Sequence, residues 1–258
     1  MSSMVFEYVS GALMRTVRVR IVLPHEEMHP DRSVNPPWRT LYFLHGITAN
    51  STSMYGRCDF ATLSEKYGIA IVTPDGENSF YMDCPERRAL YETYVARELV
   101  ETTRKLLPLS RKREDTWIGG ISMGGYGALM LGFRHPETFS KIAAISPACQ
   151  IYDMVRSGIL PPEMIENIFK GEERYMEDYD PYTLAVRAKE RGEESPKLFM
   201  RCGTDDYLVY GVCRDLRDKW EKAGVPLDYD EGPGAHDYEF WNPRLREAMK
   251  FLTGDIES

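Results

Sequence analysis

One segment near the middle of the chain, Trp117–Ala128 (WIGGISMGGYGA), restricts the possible folds more than any other part of the sequence. An apolar run suited to a buried strand passes through Gly120-Ile121-Ser122-Met123-Gly124 directly into small residues at helical spacing. A chain that turns from strand to helix within a residue or two belongs to an architecture assembled from such units. The rest of the sequence repeats the rhythm. Leu41–Leu44, Ile69–Val72, Thr116–Gly119, Ile142–Ile145 and Leu198–Met200 are short apolar runs. Between them Tyr91–Leu107, Gly124–Arg134 and Val209–Ala223 carry apolar residues at helical spacing, with ends marked by Gly or Pro. Strands alternating with helices need right-handed crossovers, so a mostly parallel sheet with helices on both faces is predicted. Arg15–Leu23 alternates basic and apolar residues like a half-buried strand, and the N-terminal strands, with no helix between them, are expected as an antiparallel edge. Pro24–Pro37 reads as a surface loop. The stretch from Pro147 to Pro196 breaks the rhythm: it is rich in Pro, Glu and Tyr, predicted strand-free, and expected as a helical or loop insertion over one end of the sheet. A single domain over 1–258 is expected.

Composition removes several classes of function. Lys and Arg number 32 against 40 Asp and Glu, a net charge of −8 that argues against a nucleic-acid partner. The longest apolar stretches fall far short of the roughly 20 residues of a membrane span, so no membrane partner is expected. The start, MSSMVFEYVSG, has neither a basic head nor an apolar core like that of a secretory signal. The five cysteines (Cys58, Cys84, Cys149, Cys202 and Cys213) form no C-x-x-C pair. Reduced thiols and a cytoplasmic location are the expectation, with neither metal nor cofactor.

The G-x-S-x-G at Gly120–Gly124 has the context of a nucleophile elbow, a turn so tight that Ser122 projects from the sheet edge. The helix that follows directs unpaired N–H groups and its positive dipole end at the site. A serine hydroxyl needs a base, and there are five histidines to choose from. His25 and His29 lie in the early loop, His135 closes the helix after the elbow, and His45 ends a strand. His236, in the glycine-rich GPGAHDYEFW before the last predicted helix and after a predicted strand at Leu227–Tyr229, is left as the base. The acid is sought between serine and histidine, at a strand end, where Gly203-Thr204-Asp205-Asp206-Tyr207-Leu208 offers two aspartates. Asp206 is favoured because it sits farther past the strand, where a turn can direct it back to the histidine; capping the next helix is the competing role for either. Two backbone donors must meet the oxyanion. Met123, after the nucleophile, is one candidate, and the Ile47 amide in His45-Gly46-Ile47 is the other. His45 is expected to hold this loop, without a catalytic role.

Two further matches are set aside. His25-Glu26-Glu27-Met28-His29 fits H-E-x-x-H, but Pro24 and Pro30 leave barely one helical turn for a motif that needs both histidines on one helix face. Asn50-Ser51-Thr52 fits the glycosylation pattern in a chain with no visible signal.

Together LYFLHGITANSTSMYGR, TWIGGISMGGYGALMLGFRHPETFSKIAAISPA, CGTDDYL and GAHDYEFW resemble the tributyrin esterase branch of the esterase D-like α/β-hydrolases, from about Glu7 to Leu252. The resemblance implies an α/β-hydrolase fold, a triad of Ser122, Asp206 and His236, and an oxyanion hole from Ile47 and Met123. It implies a carboxylic ester hydrolase acting on a small-molecule ester: a short-chain carboxylesterase, an acetyl esterase acting on carbohydrates or a feruloyl esterase. S-formylglutathione hydrolases are cousins that usually carry Ser-Gly where this chain has His45-Gly46, a departure from that thioesterase. An acyltransferase on the same scaffold is the other alternative, and a homo-oligomer is compatible with the sequence. A preference for acetyl to butyryl esters is expected, with acetylated or feruloylated plant polysaccharide fragments as natural substrates. Phe80, Tyr81, Tyr152, Phe169, Tyr175 and Tyr179 stand in the two segments, Gly76–Pro85 and Ile151–Tyr182, expected over the serine end of the sheet. They could hold an acyl group or pack the insertion onto the sheet, and for most of them packing is the expectation.

Overall fold

A computed structural model describes residues 2–24, 35–192 and 194–254. Its centre is an eight-stranded sheet of β1 (Ser2–Ser10), β2 (Arg15–Leu23), β3 (Arg39–Leu44), β4 (Ile69–Pro74), β7 (Thr116–Ile121), β8 (Lys141–Ile145), β9 (Lys197–Gly203) and β10 (Asp228–Gly232). The order is β1-β2-β4-β3-β7-β8-β9-β10. From β4 to β10 every neighbour is parallel, while β1 and β2 pair antiparallel with each other and β2 antiparallel with β4. The small strands β5 (Asp83–Cys84) and β6 (Ala89–Leu90) form a separate ribbon. The mostly parallel sheet and its antiparallel edge follow the sequence expectation. The last strand starts one residue later than predicted and runs on to Gly232.

Every residue of β4 and β7 is buried, as strands covered on both faces must be. One face carries α1 (Ser51–Arg57), α2 (Phe60–Tyr67) and α11 (Tyr238–Thr253), which close over Phe43, Ile71, Trp117 and Phe199. The other face carries α3 (Tyr91–Thr93), which continues through a π turn at Tyr94–Leu99 into α4 (Val100–Leu106). Beside these lie α5 (Met123–Arg134) and α10 (Tyr210–Ala223). Sequence signals account for several helix ends. In α10, Cys213, Leu216 and Trp220 recur on one buried face, and Gly224 ends the helix at φ 65°. Asn50 caps α1, its side chain accepting from Ser53 N while Ser53 Oγ accepts from Asn50 N.

The long segment after β8 holds α6 (Ile151–Arg156), α7 (Pro162–Phe169), α8 (Glu172–Asp178) and α9 (Pro181–Glu190), with no strand among its described residues. It packs against α5 and α10. Its aromatic residues face inward. Phe80, Tyr126, Phe169 and Tyr175 meet with ring centroids 5.1–6.4 Å apart, and Tyr152 and Tyr179 flank them. All are buried. These rings fasten the insertion to α5 as core.

The strand order places β7 on one side of β3 and β4 on the other, so the loops after β3 and β7 diverge. In open parallel sheets such a point leaves a crevice at the carboxyl ends of the strands.

Candidate active site

Ser122 lies in the turn between β7 and α5, at φ 55° and ψ −121°. A non-glycine residue held there costs on the order of 1–3 kcal/mol, and surrounding structure must over-determine it. It does: Ser122 N donates to Ile145 O at 3.1 Å, and Ser122 O accepts from Tyr126 N and Ala148 N, each at 3.0 Å. The flanking glycines are steric requirements. A Cβ on Gly120 would stand 2.3 Å from Gly124 O, and one on Gly124 would stand 2.1 Å from Leu44 O.

The loop after β3 crosses the same crevice. Gly46 is packed so closely that a Cβ on it would lie 3.2 Å from Ser122 Cβ. Ile47 follows it and borders the same cleft as Ser122. Met123 opens α5, where a backbone N–H has no intrahelical acceptor. The loop is braced from behind, since Thr48 N donates to Asn78 Oδ1 at 2.8 Å and Ser51 N to Asp75 Oδ1 at 2.7 Å. His45 is fully buried, and its Nε2 accepts from Gly76 N at 2.8 Å. A ring nitrogen that accepts carries no proton, so Nδ1–H is the donor to Gly46 O at 2.7 Å. Burial pushes its pKa below the ordinary value, with the Gly46 carbonyl and Asp75 opposing. The neutral ring ties the loop after β3 to the loop after β4, the holding role expected of it.

His236 and Asp206 complete an unbroken chain of hydrogen bonds. His236 Nε2 is 2.9 Å from Ser122 Oγ, and Nδ1 is 2.7 Å from Asp206 Oδ2. An ionised carboxylate only accepts, so Nδ1 carries the proton and Nε2 is free to accept from the serine. Asp206 is wholly buried, and its other oxygen accepts from Leu208 N and Val209 N, both at 3.2 Å. Asp205 points elsewhere. Its Oδ2 accepts from Gly234 N, and its own N–H donates to Gly234 O, both at 3.0 Å, so it fastens the histidine loop to the end of β9. Gly203 allows this approach, since a Cβ there would stand 2.1 Å from Gly234 O.

The crevice over Ser122 is a cleft of about 370 Å³. Its wall comes from α1 and α11, through Arg57, Tyr238 and Trp241, and none of Phe80, Tyr81, Tyr152, Phe169, Tyr175 and Tyr179 lines it. The Trp241 ring stands edge-on to His236 with centroids 4.9 Å apart. Sequence reasoning missed this wall, and Asn78 behind the loop. The available signal was only that Tyr238 and Trp241 follow His236 within one turn of the last helix.

The remaining candidates are elsewhere. His135 is buried at the end of α5 with Nε2 2.9 Å from Glu92 Oε1, which Arg134 also approaches at 2.8 Å. His25 and His29, with the whole H-E-x-x-H match, lie outside the described residues. Among the described residues no group of three or more His, Cys, Asp or Glu could hold a metal ion, and no helix is long and apolar enough to cross a membrane. The five cysteines are unpaired and buried.

The family described as "Putative esterase" matches residues 10–252. An acetyl esterase of Caldicellulosiruptor saccharolyticus is 32% identical over 269 aligned residues, covering 98% of each chain. Among solved structures, S-formylglutathione hydrolase (FrmB) from Staphylococcus aureus superposes with a TM-score of 0.85 at 25% identity, covering 98% of each chain. A ferulic acid esterase superposes with a TM-score of 0.76 at 25% identity, again covering 98% of each. With the α/β-hydrolase architecture and a serine at the crevice, these similarities make the chain a member of this esterase family and a carboxylic ester hydrolase.

Proposed function

We propose that the enzyme hydrolyses short-chain acyl esters, acetyl to butyryl, with Ser122 as nucleophile, His236 as base and then acid, and Asp206 as the carboxylate that orients it. The amides of Ile47 and Met123 form the oxyanion hole. The observation that carries this reading is the Ser122–His236–Asp206 hydrogen-bond chain, standing where Gly46 and the start of α5 meet the serine.

The steps follow from that geometry. Ser122 Oγ attacks the ester carbonyl while its proton passes to His236 Nε2. The imidazolium is stabilised by Asp206, which stays ionised. The carbonyl oxygen becomes negative and takes hydrogen bonds from the two amides. When the tetrahedral intermediate collapses, His236 gives its proton to the departing alcohol oxygen, leaving an acyl-Ser122. Water then attacks in the same way, His236 taking its proton and returning one to Ser122 Oγ. The products are the acid and the alcohol.

A short acyl group fits a cleft of about 370 Å³, and the acetyl esterase relative supports it. The insertion is tied down by its aromatic core and does not resemble an interfacial lid for long-chain lipids. Five buried thiols without a disulfide accord with a reducing compartment, and we assign the enzyme to the cytoplasm. The test is turnover of p-nitrophenyl acetate by Ser122→Ala. A loss of about 10⁴-fold or more with the fold intact is expected, together with loss of labelling by a phosphonate inhibitor. Turnover within tenfold of wild type would refute the assignment. A parallel series of acetyl, butyryl, octanoyl and feruloyl esters tests the acyl range, and a maximum at octanoyl would contradict it. Added alcohol acceptors in the same assay separate hydrolysis from acyl transfer.

A further inference from the structure

The departing oxygen receives its proton from His236 Nε2, so the alcohol half of the ester occupies the side of the cleft bordered by that imidazole. This side has a definite composition. The His236 ring meets Trp241 edge-on at 4.9 Å, Trp241 meets Tyr238 edge-on at 4.9 Å, and the Arg57 guanidinium stands 5.1 Å from the Tyr238 ring centre. All four residues line the cleft that contains Ser122. The wall thus runs from the proton donor to a cation at its outer end.

Arg57 is the one Lys or Arg lining the cleft among the described residues. It is exposed, and among the described residues its guanidinium has no ion pair. The only carboxylate lining the cleft among the described residues, Asp237, is engaged otherwise. Its Oδ1 accepts from Glu239 N and Phe240 N as the N-cap of α11. A guanidinium stacked on a tyrosine keeps its N–H fork available, and that fork matches a carboxylate in planar, bidentate fashion. Arg57 also helps join α1 to α11, since Asn242 Nδ2 donates to Arg57 O at 3.0 Å, but that contact uses the backbone.

We infer that Arg57 is a specificity-determining residue that recognises a carboxylate on the alcohol portion of the ester, at a distance from the ester oxygen spanned by Trp241 and Tyr238. The inference rests on the roles proposed for Ser122 and His236. It narrows the substrate class to acyl esters of hydroxycarboxylic acids.

The experiment measures kcat/KM for acetyl esters of straight-chain ω-hydroxycarboxylates, from glycolate upward, each beside its primary amide. Wild type is expected to favour the carboxylate member at one spacer length. In Arg57→Gln this preference should fall by about tenfold, mainly through KM, as expected for loss of a charge-assisted contact at an exposed site. Arg57→Lys should restore part of it. In wild type the preference should shrink as salt is raised, because exposed charges are screened; this arm needs no variant to fold. Equal carboxylate-to-amide ratios in wild type and Arg57→Gln, or a wild-type ratio indifferent to salt, would overturn the inference and leave Arg57 as a clamp between helices. Ser122→Ala with p-nitrophenyl acetate, run in parallel, identifies a failure of the underlying assignment separately.

Discussion

Replacing Gly124 by alanine tests whether the elbow and the oxyanion loop form one rigid unit. The added Cβ would stand 2.1 Å from Leu44 O, 2.5 Å from Leu44 C and 2.7 Å from His45 O. Ordinary contact begins at 3.4 Å, so the two segments must separate by more than about 1 Å. All three atoms are backbone, and none can rotate away. β3 is held by its ladder to β4 as far as Tyr42 and by its ladder to β7 through Leu44, so the displacement falls on the start of α5 or on the His45–Ile47 turn. Either shift moves a proposed oxyanion donor, Met123 or Ile47, relative to Ser122. Overpacking of this kind costs about 1–3 kcal/mol of stability. A misplacement of about 1 Å at reacting groups costs about 10²-fold in rate. Gly125→Ala is the control one residue away. Its Cβ would meet Pro147 Cα at 3.0 Å and Pro147 Cβ at 3.1 Å, a conflict relieved by a few tenths of an ångström. The assay is kcat/KM on p-nitrophenyl acetate with urea unfolding of both variants. Gly124→Ala should lose about 100-fold and unfold at lower urea, and Gly125→Ala should stay within about tenfold. Near-normal activity and stability in Gly124→Ala, or greater damage from Gly125→Ala, would refute the reasoning.

The two neighbouring aspartates should separate cleanly in steady-state kinetics. Asp206→Asn removes the acceptor that sets the imidazole tautomer and should lower kcat by about 10⁴-fold, whereas Asp205→Asn, which can still accept from Gly234 N, should cost less than about tenfold; the reverse order would exchange their roles. His45 makes stability depend on pH. Its folded pKa lies below the unfolded value of about 6.5, so its contribution is complete above that pH. As pH falls below it, the unfolded chain binds a proton that the folded ring refuses, and stability declines by up to about 1.4 kcal/mol per pH unit until the lowered folded pKa is reached. Urea titrations at about pH 7.5 and 5.5 should therefore show a smaller acid loss in His45→Gln than in wild type, and identical losses would exclude the effect.

Local chemistry made much of this protein legible from its sequence. Apolar runs that must be buried on both faces marked β3, β4, β7, β8 and β9 to within a few residues, because strand burial is written in consecutive side chains. The elbow was legible for the same reason: only glycine tolerates the backbone contacts at 120 and 124, and those contacts arise within one strand–turn–helix unit and the strand beside it. Chain order and the shortage of histidines singled out His236, and the strand-end position singled out Asp206. Other features depended on which distant segments meet. Asp205 and Asp206 are chemically identical neighbours, and their partners, Gly234 and His236, are set by the placement of β10 next to β9. The aromatic residues of the insertion carry no local mark of whether they face a substrate or a core; packing against Tyr126 on α5 turned them inward. The short helix α1 is marked by little more than its cap, yet its docking beside α11 sets Arg57 over Tyr238 and so builds the wall of the cleft. Sequence by itself determined the candidate reacting groups and the strands that carry them, because those follow from chemistry and periodicity along the chain. Tertiary structure alone decided what surrounds the ester, because the cleft is assembled from surfaces far apart in sequence, which acquire their faces only by packing against one another.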